Sequence, residues 1–162
     1  MTALATMSPA AFESFLRAAI GSYARQNVAS GRWSVESALD LSRAEHDRLL
    51  PQGLATKGAH LFEILDSESN VTVGTLWLAV QNHAGCPAGY VYNVEIDQVH
   101  RRKGHARRAL QLLEPICLEL GLSSVGLNVF AFNIPARRLY EALGYEATAI
   151  TMRKILRREG GV

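Results

Sequence analysis

Residues 94–114 constrain the fold more than any other stretch of the chain. An apolar-rich extended run, Val94-Glu95-Ile96-Asp97-Gln98-Val99, gives way within a few positions to a basic turn, His100-Arg101-Arg102-Lys103-Gly104. A helix follows, with apolar or small residues at Ala106, Leu110, Leu113, Cys117 and Leu120. That spacing lays one stripe on a core. Free backbone N–H groups at a helix start, helped by basic side chains, form an anion site, and a phosphate is its natural guest. Gly104 lets the backbone come close to such a guest. A solvated basic helix start after an ordinary strand fits the same residues, so the rest of the chain has to decide.

The 162 residues fit one domain, and a composition 48% hydrophobic and 20% charged supplies a real core. Net charge is only +2, yet five Arg or Lys fall between Arg101 and Arg108. That favours a local anionic ligand over a broad nucleic-acid face. The two cysteines, Cys86 and Cys117, form no CxxC pair and give neither a zinc pattern nor a disulfide framework. His60, His83, His100 and His105 are scattered, and no metal is expected. The first residues lack a basic segment followed by an apolar signal core, and no 18-residue apolar span exists. The expectation is a soluble, cytoplasmic protein with no membrane partner.

In chain order, residues 8–29 read as a helix capped by Ser8 with Pro9 in its first turn. Ser34 caps a second helix over about 35–50, with Val35, Ala38, Leu39 and Leu49 as inward residues and Arg43–Arg48 as a solvated face. Strands are expected at His60–Leu65 and Val71–Val80, antiparallel across a short turn. After a loop over His83–Gly89 comes a central strand, Tyr90–Val99. Its alternation puts Tyr90, Tyr92, Val94 and Ile96 on one face and Val91, Asn93, Glu95 and Asp97 on the other. Pro115 inside the long helix removes one backbone bond and should bend it. A strand at Ser124–Phe130, a short helix capped by Asn133, and a last strand region at Tyr145–Ile155 complete a mixed α/β (α+β) fold. Arg153–Val162 reads as a basic frayed tail.

Three phosphate arrangements can be weighed. No GxxxxGK[ST] loop is present, and no GxGxxG follows a first strand. The basic helix commits its Ala/Leu stripe to a core, which disfavours nucleic-acid reading. Arg101-Arg102-Lys103-Gly104-His105-Ala106, however, matches [Q/R]-x-x-G-x-[G/A]. Asn133-Ile134-Pro135-Ala136-Arg137-Arg138-Leu139-Tyr140-Glu141-Ala142-Leu143-Gly144-Tyr145 matches N-x-x-A-x-x-x-Y-x-x-x-G-[F/Y]. In that order the two motifs resemble the GNAT family, the Gcn5-related N-acetyltransferases, over about residues 60–155.

The resemblance implies a mixed, mostly antiparallel central sheet flanked by helices, with acetyl-CoA in a V-shaped opening between the fourth and fifth strands. Residues 60–155 would form the cofactor-binding core and 1–55 a helical, substrate-side region. The pyrophosphate would lie on the N–H groups of Arg102, Lys103, Gly104, His105, Ala106 and Arg107, with Arg101 adding charge. The pantetheine amides would pair with the strand edge at Val94, Ile96 and Val99. Asn133 matches a position that contacts the cofactor arm, and Tyr140 one that protonates the departing thiolate. Where many members carry a glutamate, this chain has Asn128, which can hold water or substrate and cannot act as a base. Glu95 is the expected base, and a residue merely paired with an arginine fits it equally well. Trp33, Tyr23, Trp77, Asn93 and Asp97 are expected around the acceptor, an amine on a small molecule or, second, on a peptide. A non-catalytic acyl-CoA-binding module is the alternative from another class. A homodimer is expected as one way to cover a C-terminal edge strand.

Overall fold

The computed structural model describes residues 1–83 and 85–156, so the end of the expected basic tail lies outside the described residues. Local signals set the helices. Helix α1 (Pro9–Ala29) starts where the Ser8 hydroxyl accepts from the Ala11 N–H at 3.2 Å, and α2 (Val35–Leu49) starts on Ser34 in the same way. The inward row of α2 is Ala38, Ser42 and His46, spaced by four. Val35 and Leu39, expected inward, are 74% and 49% exposed. Small residues win the interface because α2 lies close on α1, where Ser42 Oγ donates to the Ile20 carbonyl at 2.7 Å. That bond satisfies a buried hydroxyl.

Five strands form one sheet in chain order: β1 (Thr2–Thr6), β2 (Ala59–Asp66), β3 (Val71–His83), β4 (Cys86–Ile96) and β5 (Val125–Leu127). Every pairing is antiparallel except β4 with β5. β1 is an addition to the expected elements. Its Ala/Thr run is unremarkable alone and becomes a strand by pairing Thr2 with Asp66 through Thr6 with Phe62. The expected loop over 83–89 is mostly ladder, with Val80 opposite Gly89 and His83 opposite Cys86. Gly89 serves packing there rather than a turn, since a Cβ would meet Leu78 Cδ1 at 3.0 Å.

β4 also departs from strict alternation. Trp77 pairs with Asn93 and Leu78 with Val91, leaving Tyr92 as the extra residue of a bulge. The phase therefore shifts, and Val91 joins Val94 and Ile96 in the core cluster instead of lying opposite them. β4 ends at Ile96, so Asp97 and Val99 are not strand residues; Val99 sits in a 3-10 turn, Gln98–His100, and is 76% exposed.

Helix α3 (His105–Glu119) packs Ala109, Leu110, Leu113 and Cys117 on Ile64, Leu76, Leu78 and Val91. The other cluster joins Phe15 and Ala19 of α1 to Leu61 and Trp77 of the sheet. The sheet is thus covered on both faces. Leu120, expected in the α3 stripe, is 39% exposed at the helix C-cap. α4 (Ile134–Glu141) follows its Asn133 cap. The expected strand at 124–130 keeps only Val125–Leu127, and 145–156 form no regular structure. That last segment has no strand beside it to complete a ladder, and Ile150, Met152, Ile155 and Leu156 are 74–88% exposed.

Candidate active site

β4 and β5 run together only over Gly89–Val125, Tyr90–Gly126 and Val91–Leu127. Beyond that, the bulge at Tyr92 turns β4 one way while the chain leaves β5 at Asn128. Among the described residues, the Tyr92–Ile96 edge of β4 has no strand on that side. Val94 lies on this open edge. Ile96 does too, but its carbonyl already accepts from Arg101 Nε at 2.8 Å.

The basic turn lies at the foot of the opening. Arg102 and Gly104 both have positive φ, 60° and 84°, and Gly104 is the residue before α3. No side chain caps α3 and no acidic residue occupies its first turn. The N–H groups of His105, Ala106 and Arg107 are therefore free of the intrahelical ladder. A Cβ built on Gly104 would meet no atom within 4 Å, so the space over the helix start is open. Arg102, Lys103 and Arg107 are exposed around it. His105 is buried, its Nδ1 3.0 Å from Thr2 Oγ1; its ring ties α3 to β1 and only its backbone faces the turn.

At the start of α4, Asn133 Oδ1 accepts from the Ala136 N–H at 3.3 Å, and its Nδ2 is a separate donor. Tyr140, half-buried against the core, lines a groove of about 520 Å³ together with residues 125–129 of the β5 region and Tyr145. Burial pushes the Tyr140 phenol above its ordinary pKa. Tyr145, 5.7 Å away ring to ring, is pushed up to about 12 by burial first and by Cys117, Glu114 and Tyr140 after it.

A second cavity, of about 350 Å³, opens between α1, α2 and β4 and shares Asn128 with the groove. Of the residues expected around the acceptor, Tyr23, Trp77 and Asn93 line it. Trp33 does not; it stands edge-on behind Tyr23, with centroids 5.3 Å apart. Asp97, beyond the end of β4, and Glu95 are also outside the lining. Glu95 Oε1 lies 3.8 Å from Arg101 Nη2. The cavity adds residues that the sequence reading passed over: Tyr90, Tyr92, Arg32, Glu45 and His46. Arg43–Arg48 is thus not simply a solvated face. The four-residue row Ala38-Ser42-His46 is the signal that points His46 inward. Two buried polar atoms at this cavity, Trp77 Nε1 and Asn93 Oδ1, have no protein partner.

A family model described as the acetyltransferase (GNAT) family matches residues 27–145. The chain belongs to the GNAT family. It is 34% identical to YycN of Bacillus subtilis (strain 168), an uncharacterized N-acetyltransferase, over 94% of this chain and 97% of that one. YdgE of the same organism, described in the same words, is 32% identical over the same shares. The crystal structure of YycN superposes with a TM-score of 0.92, at 32% identity, covering 98% of this chain and 100% of that one. Over 62% of this chain and 56% of the relative, the sequence is 31% identical to NAA20 of Arabidopsis thaliana, the catalytic subunit of an N-terminal acetyltransferase B complex. This GNAT protein is accordingly an acetyltransferase, and its family acts on amine-bearing substrates with acetyl-CoA as the general donor. The open, uncapped, glycine-led start of α3 is of the kind a pyrophosphate needs. Among the described residues no helix is long and apolar enough to cross a membrane.

Proposed function

We propose that the protein transfers acetyl from acetyl-CoA to the primary amine of a small molecule by direct attack within a ternary complex. One observation carries this reading: the parting of β4 and β5 above the uncapped start of α3, with a walled cavity meeting that opening at Asn128. Residues 60–155 hold the donor, and α1 with α2 builds the acceptor side.

Bound acetyl-CoA supplies an activated acetyl thioester. The N–H groups from Lys103 to Arg107 hold its pyrophosphate, and Arg102 and Lys103 add charge. The unpaired β4 edge at Val94 takes pantetheine amides as an added strand would. Asn133 Nδ2 faces the same arm. Tyr140 donates its proton to the departing sulfur, and its raised pKa keeps that proton in place until it is needed. Asn93 and Asn128 orient the acceptor. A small amine fits a cavity of about 350 Å³. The similarity to NAA20 supports a peptide N-terminus as the second reading.

Thermal-shift titration with CoA and acetyl-CoA tests the donor site. Both should raise Tm, and Gly104→Val should weaken the effect by tenfold or more in concentration. No shift with either ligand overturns the assignment.

A homodimer belongs to the same proposal. β5 is an edge with three paired residues, and Ile150, Met152, Ile155 and Leu156 are exposed among the described residues. A second copy covers both.

A further inference from the structure

We propose that His46 accepts the proton of the acceptor ammonium, and that the cavity around it selects a small organic cation. The inference rests on the acetyltransferase reading and deepens it.

His46 is 6% exposed although its neighbours Glu45, Asp47 and Arg48 are charged. Its Nδ1 lies 2.8 Å from the Ser42 carbonyl oxygen. A carbonyl can only accept, so Nδ1 carries the hydrogen and Nε2 presents a lone pair. Nε2 has no protein partner among the described residues, and His46 lines the cavity. The ring is held on both sides, 5.9 Å from Tyr23 and 5.9 Å from Trp77. Ser42 is itself fixed by its bond to Ile20. An imidazole with one nitrogen pinned and the other free is the arrangement of an oriented general base.

The charged and titratable groups facing this cavity are Tyr23 from α1, Arg32 from the turn after it, Glu45 beside His46 on α2, and Tyr90 and Tyr92 from β4. Neither nearby carboxylate serves better. Glu45 is gripped by Arg48 at 2.7 and 3.1 Å, and Arg48 first of all lowers its pKa. Glu95 faces Arg101 outside the cavity. The aromatic walls of Tyr23, Trp77 and Tyr92 suit an ammonium by cation–π attraction. The unpartnered Asn93 Oδ1 accepts one of its N–H bonds, and Trp77 Nε1 is left to donate to an oxygen elsewhere on the acceptor.

The protons balance. The ammonium gives one proton to His46 Nε2, which later passes it to solvent. The free nitrogen pair forms the C–N bond as the C–S bond breaks, with its electron pair on sulfur. Tyr140 protonates that sulfur, and the second proton leaving nitrogen restores the phenol.

Two measurements test this. In the ligand-free protein, imidazole ¹⁵N NMR should show hydrogen on Nδ1 and a lone pair on Nε2; hydrogen on Nε2 in the neutral ring overturns the proposal. The pH profile of kcat/KM for thiol release, read across an amine panel, should show an acid limb that His46→Gln moves up toward the ionisation of the amine itself. That variant should lose about 10²-fold or more in kcat, keep the CoA-induced rise in Tm, and recover at alkaline pH where the amine is already neutral. His46→Asn guards against a variant that fails to fold. An unchanged acid limb in either folded variant, or its displacement in Glu95→Gln instead, overturns the proposal. Failure of the acetyltransferase reading looks different: no turnover and no CoA-induced shift in the wild type.

Discussion

Tyr140 is placed by the last turn of α4, and burial alone accounts for its raised pKa. In the proposed general-acid role the phenol works as its protonated form, so the alkaline limb of kcat should lie above the ordinary tyrosine range of about 10. Tyr140→Phe should cut kcat by about 10²-fold and abolish that limb, with CoA affinity unchanged by calorimetry. A single residue's role is legible in sequence when local chemistry fixes it. Gly104 is of that kind, since its φ of 84° and open surroundings follow from a glycine at the head of a basic helix. Gly104→Val should cost roughly 1–2 kcal/mol in urea denaturation from backbone strain alone, besides its effect on CoA. His46 and Glu95 are of the other kind. Whether each meets a cavity or an arginine depends on what packs over it, and the residues that decide this, Ser42's contact with Ile20 and Arg101's return to Ile96, come from other elements or turns.

Helix ends are legible because their signals are adjacent: Ser8 with Pro9, Ser34, and Asn133 all cap as their sequences predict. Strand limits are less so, because a ladder needs a partner from elsewhere. β1 forms only because β2 offers an edge, and the Tyr92 bulge is invisible to a strict period of two. The bulge matters to the site, since it both parts β4 from β5 and turns Tyr92 and Asn93 toward the cavity. The α1–α2 contact is the matching case on the helical side. Ser42→Leu should force the helices apart, at about 1–3 kcal/mol in urea denaturation. It should also raise KM for the amine more than for acetyl-CoA, because α2 carries His46 and Glu45 into the acceptor cavity.

At the scale of the whole molecule, the order of strands and the two-sided cover of the sheet leave a groove and a cavity that share Asn128. The fold class follows from the order of helices and strands, and its GNAT form from the two motifs at 101–106 and 133–145. The segment at 145–156 differs, being strand-like in composition and in no strand ladder among the described residues. If a second copy covers it, light scattering should give a dimer, and truncation after Tyr145 should give a folded monomer; a full-length monomer would refute the pairing. The account's central claim is acetyl transfer by direct attack, and initial velocities with acetyl-CoA and amine varied together test it most directly. Intersecting reciprocal lines with amine-dependent thiol release are the predicted result. Parallel lines with an acetylated protein in the mass spectrum, or thiol release no faster with amine than without it, would contradict it.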